Sequence, residues 1–188
     1  MCTVRVAKIR REFDVDIDYR HFPLHPETPQ AGLTLAELFA GRNIDPAAAQ
    51  SQLAHLMAQE GLPFGNRTMT YNSRLAQELG KWAETQSGHQ SIHDALFEAY
   101  FVDNLNLAEV ENLIAVAERV GLCVTEAKRV LDSRQQQSAV DADWDRSRQL
   151  GITSVPTFVV GDRGLVGAQP YEQLAALLTA AGAPRRDT

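Results

Sequence analysis

The chain has 188 residues, 44% of them hydrophobic, enough for one well-buried core with a modest second subdomain and too few for two large domains. Its 18 basic and 24 acidic residues give a formal net charge of −6, with the basic ones scattered through helical patterns, so no basic stripe points to nucleic acid or an anionic membrane. The longest apolar stretches, such as residues 113–117, fall far short of the roughly 20 residues that span a bilayer.

The first residues contain no uninterrupted apolar core followed by a small-residue cleavage site, so they do not read as a secretory signal, and a cytoplasmic location is expected. Cys2 and Cys123 are too few for a disulfide framework and too widely separated to ligate a metal; two lone thiols fit a reducing compartment. Val6, Ile9 and Phe13 recur at helical spacing among Arg5, Lys8, Arg10, Arg11 and Glu12. They predict an amphipathic helix that starts at the first residue, with no room for an N-cap. Residues 14–22 then alternate polar and apolar, which predicts a strand with Val15, Ile17, Tyr19 and His21 on one face. Pro23, Pro26 and Pro29 follow, and they exclude both helix and central strand.

The next hundred residues read as helical. Thr34 is placed to cap residues 35–40, Asp45-Pro46 opens a helix stopped by Gly61, and Ser73 is placed to cap one reaching Gln86. Residues 89–101 carry Ile92, Leu96, Phe97, Tyr100 and Phe101 on a broad apolar face. Asn106 is placed to cap a helix ending at Gly121, and Thr125-Glu126 to open another. After a helix over 137–150 closed by Gly151, Phe158-Val159-Val160 reads as a buried strand, residues 161–164 as a turn, and Leu165-Val166 as a short strand. Pro170 opens a final helix through Leu174, Leu177 and Leu178. The segmentation is therefore 1–32 (helix, strand and proline-rich loop), 33–135 (helical insertion), 136–182 (helix, two strands, helix) and a polar tail, 183–188.

Four phrases in this order carry a resemblance. They are Phe22-Pro23-Leu24-His25-Pro26-Glu27-Thr28-Pro29, Tyr71-Asn72-Ser73-Arg74-Leu75-Ala76, Ala95-Leu96-Phe97-Glu98-Ala99-Tyr100-Phe101 and Gly151-Ile152-Thr153-Ser154-Val155-Pro156-Thr157-Phe158-Val159-Val160, with Gly167-Ala168-Gln169-Pro170 behind the last. The chain resembles, almost end to end, the DsbA-like thioredoxin-fold family in its FrnE-like branch, a group related to hydroxychromene carboxylate isomerases and kappa-class glutathione transferases. The resemblance implies an α/β thioredoxin-like fold with a large all-helical insertion. It also implies that Pro156 corresponds to a cis-proline beside an active-site dithiol, with Ser154, Val155 and Pro156 as the substrate-facing loop. The implied partners are protein thiols and disulfides or glutathione, the latter as co-substrate with no other cofactor, and a homodimer is compatible with it.

Thiol–disulfide exchange needs a thiolate of lowered pKa, which the family obtains with Cys-x-x-C at a helix N-terminus. This sequence has no Cys-x-x-C. Matching Arg10-Arg11-Glu12-Phe13 to the family's first helix puts Cys2, the one catalytic candidate, about three residues beyond the second motif cysteine; a shortened helix would make it that second cysteine, still without a nucleophilic partner. The family's first, central strand is missing as well. Its loss would leave two ladders of backbone groups unmatched, at a cost large against a typical total stability of about 5–15 kcal/mol. The expectation is a chain that begins at an internal methionine, or one whose strand a partner supplies. Three functions remain open: a DsbA-type disulfide oxidoreductase inactive without its dithiol, a glutathione-dependent isomerase that uses serine in its place, and a non-catalytic peptide-binding module.

Other constellations are weaker. Cys2 lies near Arg5 and Lys8, which would lower its pKa, yet a terminal cysteine is more often inert. Cys123, just past Gly121-Leu122, is expected to be a small buried hydrophobe, and a Cys2–Cys123 bond requires both to lie at one edge. His89 and His93 are four apart with Asp94 and Glu98 nearby, but such a pair is far more often a solvated face than a metal site. His21 and His25 flank a proline and serve to shape the loop. Trp82 and Trp144 are expected in core or interface, and no phosphate cradle or Gly-x-Ser-x-Gly elbow is present.

Overall fold

The computed structural model describes residues 2–86 and 91–186. In chain order the elements are α1 (Cys2–Glu12), β1 (Leu33–Thr34), α2 (Leu35–Leu38), α3 (Pro46–Gln59), β2 (Met69–Thr70), α4 (Arg74–Ala83), α5 (Ile92–Phe101), α6 (Val110–Arg119), α7 (Val124–Asp132), α8 (Gln137–Gln149), β3 (Thr157–Val160), β4 (Arg163–Val166) and α9 (Tyr171–Ala180). They form two compact units, residues 25–143 and residues 1–24 with 144–188.

The first of these units is helical. Its helices begin where local chemistry lets them. Thr34 and Glu37 form a reciprocal capping box, Glu37 N–H donating to Thr34 Oγ1 at 3.1 Å and Thr34 N–H to the Glu37 carboxylate at 2.7 Å. Asp45 accepts from Ala47 N–H at 2.9 Å ahead of Pro46. The apolar faces of α4 to α7 close on one another around Leu79, Ile92, Leu113, Val116, Val130 and Leu131, each at most 1% exposed. Trp82, 4% exposed, belongs to this core, as expected.

One charged group sits inside it. Glu78 is 0% exposed and accepts from Arg74 Nε at 2.8 Å, Arg134 Nη2 at 2.6 Å and Arg134 Nε at 2.8 Å. Burial by itself raises the Glu78 carboxyl, but the hydrogen bonds and charges of Arg134 and Arg74 outweigh that and hold it below the ordinary carboxylate range. Arg134, which makes this fork, has a left-handed backbone conformation, φ 52°, at the turn between α7 and α8. A buried carboxylate is tolerable only with such partners.

Several start signals act one step away from where the sequence pointed. Ser73 makes no side-chain cap; Asn72 Oδ1 accepts from Arg74 N–H at 2.9 Å instead. Asn106 accepts from Ala108 N–H at 2.9 Å and so caps a preceding turn, while α6 starts at Val110. The residue before Val124, the start of α7, is Cys123, which is exposed rather than buried as a small hydrophobe, because an N-cap position projects beyond the packed face. Residues 33–34 pair antiparallel with 69–70, a short ladder within the stretch expected to be wholly helical.

In the other unit α1 buries Val6, Ile9 and then Phe13, at 7%, 5% and 0% exposure, at the predicted spacing. Ile9 and Phe13 pack with Leu174, Ala175 and Leu178 of α9, and Val15, Ile17, Phe158, Val160 and Leu165 border that cluster. β3 and β4 form the expected antiparallel hairpin, Thr157 opposite Val166 and Val160 opposite Arg163, but β4 begins at Arg163, inside the expected turn, and β3 is not the buried strand expected: alternate residues face outward and leave Val159 46% exposed. Pro170 stands at the N-cap of α9 rather than inside it.

The strand expected over 14–22 is not formed. Its side chains keep the period of two, Val15, Ile17, Tyr19 and His21 half-buried and Asp14, Asp16, Asp18 and Arg20 exposed, but the segment joins no ladder among the described residues. The periodicity reports the side chains' contact with the cluster; a strand also requires a hydrogen-bonding neighbour. Its beginning is tied by backbone bonds: Phe13 bridges Arg185, Asp14 N–H donates to Pro184 C=O at 2.9 Å, and Arg186 N–H donates to Glu12 C=O at 2.9 Å.

Candidate functional site

Ser154, Val155 and Pro156 form the loop that enters β3. α8 ends with Ile152 N–H donating to Ser147 C=O at 3.0 Å, and three residues later the Val155–Pro156 peptide is cis. The loop is tied on both sides. Thr157 Oγ1 donates to Ser154 C=O at 2.8 Å, and Gly167 N–H donates to Pro156 C=O at 2.8 Å. Gly167 has φ 90°, a conformation that a side chain would strain, which fits glycine to this turn.

Between those anchors Val155 is 46% exposed, and its own N–H and C=O make no hydrogen bond among the described residues. Val159 and Val166, 46% and 58% exposed, extend an apolar surface along the hairpin. Thr157, Val159 and Val166 share this outer face, since alternate residues of a strand and directly paired residues point the same way.

The same loop reaches the start of α1. Arg5 Nη1 donates to Ala168 C=O and to Gln169 C=O, each at 2.7 Å, while Gly167 in that turn holds Pro156. Residues 167–169 thus tie the first turn of α1, which contains Cys2, to the loop of Ser154, Val155 and Pro156. Cys2 is half-buried, and neither cysteine is in a disulfide. At the other end of α1, Tyr171 O–H donates to the Glu12 carboxylate, with Lys8 3.8 Å from the Tyr171 ring centroid. Burial first, then the bond to Glu12, raises the Tyr171 hydroxyl above its usual range, so it stays protonated as a donor.

His89 is outside the described residues, and His93 faces Glu84 at 3.4 Å, an ion-pair distance rather than a metal set. No cluster of three potential ligands occurs among the described residues. His25, in the proline-rich loop, is held below the ordinary imidazole range by burial and, second, by the charge of Arg42. Trp144 is half-buried in α8. What sequence reasoning missed is the role of Arg5 and Gly167 in fastening the loop; the positive charge one turn into α1 was visible, its carbonyl acceptors 163 and 164 residues away were not.

A β-hairpin entered through a tied proline loop and packed with α1 and α9, in a chain that also carries a helical unit, has the parts of a thioredoxin-type protein. The match is specific: residues 2–179 fit the DSBA-like thioredoxin domain, and the chain belongs to that family. A probable DsbA oxidoreductase from Streptomyces coelicolor is similar at 27% identity and TM-score 0.87, covering 96% of this chain and 82% of that one. A 2-hydroxychromene-2-carboxylate isomerase has the same fold at 18% identity and TM-score 0.68, over 95% of this chain and 86% of its own. So does the cytosolic disulfide reductase DsbM of Pseudomonas aeruginosa, solved with GSH, at 20% identity and TM-score 0.54, over 73% of this chain and 77% of that one. Against two curated relatives the match spans 42% and 38% of their length. Among the described residues no helix is long and apolar enough to cross a membrane.

Proposed function

We propose that the protein is a disulfide oxidoreductase of the DsbA type, and that these 188 residues contribute substrate binding: an extended cysteine-containing peptide, or glutathione, pairs with the backbone of Val155. The observation that carries this is the Val155 N–H and C=O, without a partner among the described residues while the carbonyls on either side are fastened. A pre-ordered donor and acceptor pair is what strand addition uses, and its rigidity lowers the entropy cost of binding. The apolar surface of Val159 and Val166 lies along the same hairpin. Family membership and the glutathione bound to a structural relative support the choice of ligand.

Exchange itself requires a stabilised thiolate and a second thiol to resolve the mixed disulfide. Cys2 and Cys123 are the only thiols in the sequence and are not spaced as such a pair. The chain by itself is therefore expected to bind without turning over. Titrating the ¹⁵N-labelled chain with glutathione and with a reduced insulin B-chain peptide tests this. Shifts confined to residues 154–157 and 167, with insulin reduced no faster than in buffer, support it. Binding elsewhere would overturn the site, and insulin turnover by this chain would overturn the division of roles.

A further inference from the structure

On the helical unit a second surface is built around a single arginine. Gly65 allows it: a Cβ there would lie 2.3 Å from Val102 C=O and 2.9 Å from Asn104 Nδ2, so only glycine lets residues 62–68 lie against the C-terminus of α5. Gly65 N–H donates to Phe101 C=O at 2.8 Å. That approach puts Phe64 in a stack with Phe101, centroids 6.4 Å apart at 26°, and brings the Arg67 guanidinium 4.8 Å from the Tyr100 ring centroid and 5.3 Å from that of Phe101. Tyr100 is held in place by its hydroxyl contact with Thr70 Oγ1 at 2.9 Å. Phe97, one turn earlier on α5, lies 6.4 Å from Phe101 and is 46% exposed.

Among the described residues of this unit Arg74, Lys81, Arg119, Lys128, Arg129 and Arg134 each form an ion pair, whereas Arg67, like Arg42, forms none; the Arg67 Nε is in addition buried without an acceptor. The covered Nε is out of reach of an incoming group, which leaves the two Nη amino groups as the donors an acceptor would meet. The Tyr100 and Phe101 rings stand at 79° to each other, so the guanidinium lies against both without lying flat on both, and its Nη1–Nη2 edge remains to bind; a carboxylate matches that edge in two parallel hydrogen bonds. The exposed ring of Phe97 beside it calls for an apolar group on the same ligand. A polyanion is disfavoured by the chain's net charge of −6.

We infer that Arg67, Phe64, Phe97 and Phe101 form a docking site for an acidic peptide segment, in which an Asp or Glu carboxylate pairs with Arg67 and a neighbouring aromatic or aliphatic side chain covers Phe97. This site is independent of the Val155 loop.

The test uses the full ¹⁵N-labelled chain and three probes: N-acetyl-Phe-Asp-Phe-amide, its Asn counterpart, and sodium acetate. Saturable shifts of the Arg67 Nε–H and of the Phe97 and Phe101 amides with the Asp peptide are expected, with binding about tenfold weaker for the Asn peptide, as loss of a charge-assisted pair implies. R67K retains the charge but loses the planar edge and is expected to weaken binding by a similar factor; F97A weakens it while leaving the spectrum otherwise dispersed. Equal binding of the Asp and Asn peptides, acetate saturating as tightly as the peptide, full affinity in R67K, or shifts that miss Arg67 would each overturn the proposal.

Discussion

The two units solve the same problem, satisfying backbone polar groups while burying apolar side chains, by different means. In the helical unit each helix carries its hydrogen bonds within itself, so α4 to α7 need only bring apolar faces together around Leu79, Leu113 and Val116. In the other unit the backbone depends on neighbours. Among the described residues β3 is paired along one edge, to β4, and the segment 14–22, whose Val15 and Ile17 pack on the cluster of Ile9, Phe13, Leu174 and Leu178, joins no ladder. The lesson is that side-chain burial and strand formation are separable: Val15 and Ile17 obtain the first without the second.

The widest gap between the units is expected in amide hydrogen exchange. The amides of Val15 and Ile17 should exchange at least about a thousandfold faster than those in the middle of α4 and α6, where opening requires the unit's full unfolding free energy. Equal protection in an exchange experiment would mean that residues 14–22 are paired in solution and would erase the contrast.

Next in size are substitutions in the helical core. Leu113, 0% exposed, is expected to cost about 2–5 kcal/mol on change to Ala, read as a lowered denaturation midpoint, with exchange at residues 15–18 unaltered. Loosening of both regions together would show that the units unfold as one.

E78Q should cost about 3 kcal/mol, because it leaves Arg74 and Arg134 facing a neutral amide; Arg134 is partly solvated, which keeps the loss at the low end for a broken buried pair. The carboxyl is depressed in the folded state, so its contribution is complete above the unfolded value of about 4.3 and disappears as pH falls through the lower folded value. Acidification below about pH 4 should therefore lower the midpoint of the parent chain more than that of E78Q. Parallel pH profiles would remove Glu78 from the account.

The smallest effect belongs to the cap: T34A should cost about 1 kcal/mol by calorimetry, since it removes one half of a solvent-exposed capping box. A neutral result would show that α2 is held by Leu35, 4% exposed, and not by its N-terminus.

Features set by residues close in sequence were legible without a structure. The α1 spacing of Val6, Ile9 and Phe13, the Asp45-Pro46 start, the Thr34 cap and the β3–β4 hairpin all follow from local periodicity and turn chemistry. Caps that turn on a single side-chain rotamer were displaced by one or a few residues, as at Asn72 for Ser73, because Ser, Asn and Asp compete for the same N–H groups and packing selects among them.

By itself the sequence determined the family, through ordered phrases from residue 22 to residue 170, and the absence of any Cys-x-x-C among 188 residues. Only the tertiary structure decided which groups were satisfied and which were left open. It joined Arg5 to carbonyls 163 and 164 residues away, buried Glu78 between two arginines and, among the described residues, left the Val155 backbone without a partner and set Arg67 against two rings without an acid. The physical reason is that pattern and propensity act over a few residues, whereas a hydrogen bond or ion pair is made or missed by whatever the fold brings within about 3 Å.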